Sequence, residues 1–426
     1  MNDIEWSYFY LIINALLWTI TFVIVQRKTR YFGVGNAIIM LYTIISVLAI
    51  NLYDHSIYIY GNLKLLPFIY LFAMIMLACY PILSLQRRGV DRIIQPNHRL
   101  FNTVCIFIII FAFVSLPRTV TLIKENLISL ILDSTMGAEL YGKSSMAQIS
   151  KSTSGFNIIP IIGGVCGNIA IVFFMYYLTI EKKNKILLWG LGISSLIGPL
   201  ASVANGGRFM LATFIFNSTY LFIFIYRFIS LPLRKKITRF FVVFGCILLI
   251  PFVALTLSRN KGDSEMAINM AEDYLSQGIL NFNNYGLDAG GTRQGDYTAV
   301  VFKYVAQMQP AMYYNGRISK YWRMKLNEST FYTFVGDFTL DYGPIIALVL
   351  FIIIAPLSKF IIKPRQGAIS FQQYLIVYIL IVTCIGYFQF TLGREEGNLN
   401  LIALLILAFC FKLANDIDKR KAKSIE

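Results

Sequence analysis

The side chains able to do chemistry fall into a few short stretches of this chain. Asn205-Gly206-Gly207-Arg208 sits between two apolar runs. Paired glycines permit a tight turn whose amides can face outward, and a helix that begins at once adds a positive dipole end beside the guanidinium. That combination suits an anion, a phosphate above all. A plain interfacial anchor for Arg208, with the glycines serving only the turn, is the competing reading. Arg259, in Ser258-Arg259-Asn260-Lys261-Gly262, can meet the same kind of ligand or can snorkel at a helix end. Arg293 lies in the glycine-rich turn 286–295, where solvated loop charge is the default expectation. Among the carboxylates, Asp288, Asp296, Asp337 and Asp341 carry weight. Asp337 and Asp341 are four residues apart, share one helical face, and are flanked by aromatics that limit water; a carboxylate there can serve as general base toward a hydroxyl. Against that, Asp341 stands just before Gly343-Pro344, where a helix-start cap is expected, and Asp296 also suits an N-cap.

The elements that must hold these groups are apolar. Of 426 residues, 57% are hydrophobic and only 14% charged, where a globular domain has about a quarter charged. Runs near the roughly 20 residues needed to cross a hydrocarbon core recur along the chain. The expected fold class is therefore an all-α polytopic membrane protein of about eleven spans: 8–25, 35–52, 65–85, 100–116, 156–180, 186–204, 209–226, 240–257, 343–357, 374–390 and 399–413. No Lys or Arg precedes the first run, and Asp3 and Glu5 do, so it is read as a retained span. The cysteines all fall inside predicted spans and point to neither a disulfide framework nor a metal.

The connections alternate in character. Short basic ones, such as 26–34, 86–99 and 227–239, hold well over half of the 38 Lys and Arg together with the C-terminal tail. The positive-inside rule then puts the N-terminus outside, the C-terminus inside, and the long polar interval 258–342 outside. The net charge of +16 is thus mainly a topology signal, and nucleic acid is not an expected partner. The chain divides into spans with short loops over 1–257, the large loop 258–342, and 343–426 with the last spans and a basic tail. Within the large loop, Met266, Met270 and Tyr274 predict an amphipathic helix over 264–280, capped by Asp263 or Ser264. A second helix is predicted from Asp296 to just before Pro310, with the glycine-rich turn between them as a hinge. In 117–155, an apolar stretch over 122–132 suits the membrane interface and the Ser/Gly-rich remainder reads as mobile. Asn327-Glu328-Ser329 is a weak glycosylation pattern, and no phosphate-cradling GxxxxGK(S/T) motif is present.

Three stretches resemble the bacterial O-antigen and capsule repeat-unit polymerases (Wzy-type): Asn205-Gly-Gly-Arg-Phe-Met-Leu, Tyr274-Leu-Ser-Gln-Gly-Ile-Leu-Asn-Phe-Asn, and Thr330-Phe-Tyr-Thr-Phe-Val-Gly-Asp-Phe-Thr-Leu-Asp-Tyr-Gly-Pro. The resemblance in architecture covers the whole chain; these matches cover a few dozen residues. It implies a GT-C-like bundle in a bacterial inner membrane, with the large loop in the periplasm. It further implies a glycosyltransferase that moves a growing glycan from undecaprenyl pyrophosphate onto a new lipid-linked repeat unit, with a chain-length-determining co-polymerase and a flippase as partners and no cofactor or metal. On that reading Arg208 and Arg259 stabilise the departing pyrophosphate, and Asp337 deprotonates the attacking hydroxyl. Asn205, Gly206, Gly207, Arg293, Asp296, Tyr297, Asp341 and Tyr342 would line the substrate. An O-antigen ligase shares the architecture but typically carries a functional histidine in the large loop, and this loop has none. A transporter of lipid-linked saccharide is the rival from another class; charged residues are scarce within the spans.

Overall fold

A backbone in hydrocarbon has no water to bond to, so each apolar run closes its own hydrogen bonds as a helix. The computed structural model describes residues 3–29, 31–55, 60–132, 158–181, 183–259, 264–311, 314–325 and 330–423. Asp263, the 327–329 triplet and the Ser/Gly-rich piece after residue 132 lie outside them. The helices in order are α1 (Asp3–Lys28), α2 (Val34–His55), α3 (Leu65–Arg88), α4 (His98–Phe113), α5 (Leu116–Leu132), α6 (Ile158–Tyr177), α7 (Lys185–Ala204), α8 (Phe209–Ile225), α9 (Leu231–Arg259), α10 (Ser264–Tyr285), α11 (Val300–Val305), α12 (Tyr314–Lys320), α13 (Thr333–Tyr342), α14 (Pro344–Ile361), α15 (Phe371–Cys384) and α16 (Arg394–Lys423). Among the described residues, seven helices are long and apolar enough to cross a membrane, or eight if α4 and α5, bent by 43°, form one span. The protein is an all-α, multi-pass membrane protein.

Local chemistry sets the helix ends. Asn97 accepts from the Leu100 amide to start α4, and Asn184 from the Ile186 amide to start α7. Arg27 and Lys28 close α1, and Arg87 and Arg88 close α3, where their charges suit the negative dipole end. Gly343, at φ 81°, ends α13 and lets Pro344 open α14 without a missed hydrogen bond.

Contacts divide the chain into two compact units. The first comprises 1–90, 268–369 and 376–402. Its membrane part packs around Trp18, whose ring lies 5.0 Å from Tyr42 and 4.8 Å from Phe72. The second comprises 91–267, 370–375 and 403–426, with an aromatic core in which Phe101 meets Phe173, Tyr176 and Phe371.

Three expectations are corrected. Helix α10 continues to Tyr285, past residue 280. Helix α11 begins at Val300, not Asp296, because the Asp296 carboxylate is spent on tertiary partners described below. It ends at Val305 in a Schellman turn: Met308 N–H donates to the Lys303 carbonyl, Gln307 N–H to Tyr304, and Gln307 takes the left-handed φ of 58°. Finally, the predicted span 374–390 stops as a helix at Cys384. The carbonyls of Gly386 and Phe388 instead receive the Phe334 and Thr333 amides at 2.8 and 3.1 Å. No side chain fits at Gly386, since a Cβ would stand 2.6 Å from the Gln389 carbonyl oxygen.

Helix α10 is pressed onto the same broken segment. A Cβ at Gly278 would lie 2.7 Å from the Tyr387 carbonyl oxygen, a backbone atom that cannot swing away. Gly278→Ala is expected to destabilise the protein by about 1–3 kcal/mol, read as a lower midpoint of thermal unfolding in detergent.

Candidate functional site

The site is assembled wholly within the first unit, from the glycine-rich turn, α13 and the non-helical stretch between α15 and α16. Helix periodicity puts Asp337 and Asp341 on one face of α13, as their spacing predicts. Both point at Arg293. Its Nε donates to Asp341 Oδ1 at 2.8 Å, and its Nη2 donates to Asp337 Oδ1 and to the Asp337 carbonyl at 3.1 Å each. The Arg293 amide also donates to the Leu340 carbonyl at 2.7 Å. Arg293 is 2% exposed, so it is not a solvated loop charge, and the turn is fastened to α13 where a hinge was expected.

The remaining carboxylate oxygens are also engaged. Asp337 Oδ2 accepts from the Phe390 amide at 2.7 Å. Asp341 Oδ2 accepts from the Thr298 amide and hydroxyl, both at 2.7 Å, and from the Tyr297 amide at 3.2 Å. Asp341 thus closes the turn onto α13 and does not cap α14, for which it was weighed. The Tyr342 hydroxyl lies 3.0 Å from that of Thr298. Burial pushes the Asp337 carboxyl up to about 6, against the opposing pull of Arg293 and the Phe390 amide.

Asp296 forms a second buried node. Its oxygens take Lys303, Lys320 at 2.7 Å, the Tyr321 hydroxyl at 2.6 Å and the Ala311 amide at 3.0 Å. Burial works to raise this carboxyl, but these donors outweigh it and hold it down at about 2. Its contribution to stability is therefore present above the ordinary value of 3.8 and is lost as pH falls from there through about 2. Asp288, by contrast, is exposed, pairs with the exposed Lys325 and accepts from the Gly290 amide at 3.2 Å.

Between the nodes lies the ring of Tyr297, fully buried, with its hydroxyl donating to Gln389 Oε1 at 2.8 Å. Three guanidinium carbons surround the ring: Arg293 at 4.7 Å, Arg394 at 5.1 Å and Arg317 at 5.5 Å from its centroid. The Arg394 amide donates to the Tyr297 carbonyl at 2.7 Å, and Asn398 ties the start of α16 to the Thr298 carbonyl at 2.9 Å. Gln294, Thr333 and Arg394 all take positive φ, at 52°, 68° and 56°. For a β-branched residue such as Thr333 that conformation is costly, roughly 1–3 kcal/mol, and three such residues about one cluster mark a site whose packing over-determines its backbone.

A small opening, with room for about one water molecule, lies at this cluster. It is lined by Asp337, Arg293, Arg394 and Gln389 on the polar side, and by Tyr297, Phe331 and Tyr332 on the aromatic side. Arg317 and Arg394 count in the sequence only among the charges outside the membrane, and Gln389 falls inside a predicted span; nothing periodic links any of the three to the turn they serve.

The other predicted residues lie in the second unit. The amide of Asn205 bonds back to the carbonyl of Ala201, and those of Gly206 and Gly207 to Val203 and Ser202 at 2.9 and 2.8 Å. They cap the C-terminus of α7 and do not form the outward-facing anion nest the sequence suggested. A Cβ at Gly207 would crowd Ser202, at 2.6 Å from its Oγ and 3.1 Å from its carbonyl oxygen. Arg208 is buried at the start of α8. Arg259 is the last residue of α9, and its side chain lies outside the described residues.

Fold and site define a multi-pass helical membrane protein in which a buried cluster, Arg293 with Asp337 and Asp341, is built from segments outside the membrane-length helices. Comparison with family models, with curated proteins and with solved structures yields no match to the chain.

Proposed function

We propose that this protein is a polysaccharide polymerase of the Wzy type, a glycosyltransferase acting on lipid-pyrophosphate-linked oligosaccharides. The observation that carries the reading is the composition of the pocket. A carboxylate whose carboxyl burial raises to about 6, guanidinium groups and aromatic faces line one opening, and these are the groups that glycosyl transfer from a phosphate carrier needs. Aromatic rings offer flat faces to the C–H side of a sugar, and Gln389 offers hydrogen bonds to its hydroxyls.

In the proposed step, a hydroxyl of the incoming repeat unit attacks the anomeric carbon of the growing glycan. A new C–O bond forms, the bond from that carbon to the pyrophosphate oxygen breaks, and undecaprenyl pyrophosphate leaves with the electron pair. Asp337 takes the proton of the attacking hydroxyl. Arg394, which lines the pocket, is the proposed counter-charge to the leaving group. Arg293 and Asp341 hold Asp337 in place, and Asp296, Tyr297 and Tyr342 shape the wall behind it. Arranged as eleven spans, the membrane part would use the seven long helices, the bent α4–α5 pair, and α6, α9 and α15, with the N-terminus and the pocket on the outer face of a bacterial inner membrane.

Purified protein supplied with purified lipid-linked repeat unit is expected to lengthen the glycan. Arg394→Ala should slow elongation by roughly 10²–10³ through loss of charge at the leaving group. Absence of any lengthening by the wild-type protein, with the lipid-linked substrate intact, would overturn the proposal.

A further inference from the structure

Among the described residues, the segment between the two buried nodes and α13 exposes several large apolar side chains. Phe302, Tyr304, Val305 and Met308 precede Pro310, and Ile318 and Trp322 follow it; all six are exposed, Val305 at 75% and Trp322 at 71%. None belongs to a membrane-length helix. Scattered apolar residues on a surface need no explanation, but six large ones within some twenty residues of chain do.

Hydrogen bonds tie the described residues of this surface down. The Schellman turn at Gln307 fixes the end of α11, and Gln309 is also left-handed, at φ 47°. Asp296 then fastens the segment at Lys303, Ala311, Lys320 and Tyr321, on both sides of Pro310. The polar ends of Lys303 and Lys320 are drawn toward that buried carboxylate, which leaves the apolar side chains outermost.

Charge decides what fits against it. From Thr298 to Asn327 there is no acidic residue, while Lys303, Arg317, Lys320, Arg323 and Lys325 are basic. Arg323 and Lys325 are exposed beside the patch, and the Arg323 guanidinium lies 5.0 Å from the centre of the Trp322 ring. Lys325 shares its charge with the exposed Asp288, which leaves bases in excess at the rim; a surface of Trp, Tyr and aliphatic residues with such an excess has the composition of a segment that lies in a membrane interface and favours anionic headgroups. The membrane-spanning helices of the same chain keep a bilayer within reach at all times.

We infer that residues 302–311 and 314–322 make an interfacial membrane contact, which sinks Val305, Met308 and Trp322 into the headgroup region of an anionic bilayer and so sets the depth of the adjoining Arg293–Asp337 cluster. The inference stands whether or not the protein is a polymerase.

The test uses full-length protein in nanodiscs, with Trp322→Phe as the reference so that the difference in emission isolates Trp322 from Trp6, Trp18 and Trp189. With acyl chains brominated close to the headgroup, the Trp322 emission is expected to lose more than half its intensity, and aqueous acrylamide is expected to quench it weakly. Strong acrylamide quenching without bromolipid quenching would show a water-facing surface, and resistance to both would show cover by protein; either overturns the assignment. Bromolipid quenching should also be stronger in phosphatidylglycerol than in phosphatidylcholine, and Arg323→Gln with Lys325→Gln should erase that difference. Equal quenching in both lipids would remove the anionic preference.

Discussion

Arg293→Ala is expected to cost about 3–5 kcal/mol, the loss found when one partner of a buried ion pair is removed and the other charge is stranded. Here two carboxylates would be stranded, Asp337 and Asp341, and the turn would also lose its side-chain bond to the Asp337 carbonyl. Thermal unfolding of the purified variant in detergent gives the direct measurement, and loss of protein from the membrane fraction gives the cellular one. Arg293→Lys should recover little, because one ammonium cannot make the separate Nε and Nη2 contacts that the planar guanidinium makes. Arg293→Met combined with Asp337→Asn and Asp341→Asn should be more stable than Arg293→Ala, since no buried charge is then left unpaired. A wild-type unfolding midpoint for Arg293→Ala would show that the cluster does not hold this region together.

The second large effect concerns Asp337. As the proposed general base it must be ionised, and with its carboxyl raised to about 6, elongation should fall as pH drops through that value. Asp337→Asn should lower the rate by roughly 10²–10⁴ and remove this acid limb. Because the amide also disturbs the contact with Arg293, the pH profile is the deciding readout: a residue that only packs would change yield and leave the limb in place. The same raised value has a consequence for stability. The folded state holds the Asp337 proton more tightly than the unfolded chain, so this group's contribution is fully present below its ordinary 3.8 and is lost as pH rises through about 6. Asp296 works in the opposite direction and at lower pH, which separates the two groups in a titration of stability.

The arrangement also suggests why a membrane chain would break a helix near this cluster. A continuous helix over 374–390 would have kept its amides and carbonyls to itself. Ended at Cys384, the following segment lends two carbonyls to the start of α13 and the Phe390 amide to Asp337, and it brings Gln389 and Arg394 to the pocket. Irregular backbone at such a place is tolerated only where protein satisfies it, and here α13 does so.

Much of the protein was legible in its sequence. Apolar runs of membrane length dictate helices, because hydrocarbon offers the backbone no other partner, and the basic connections and terminal caps follow from charge and local hydrogen bonding. The face shared by Asp337 and Asp341 follows from helix periodicity alone. Partner choice did not follow. Arg293 looked like a loop charge because nothing local shows that α13, some forty residues on, supplies two buried carboxylates to it. Asp296 looked like a cap until Lys303, Lys320, Tyr321 and Ala311 claimed it. Gly206 and Gly207 looked like an anion nest, and the ordinary demand of α7 for a C-terminal cap took their amides. In each case a polar group had several chemically reasonable partners, and burial in three dimensions selected one of them, since a buried charge or amide left without a partner costs more than the local alternative would return.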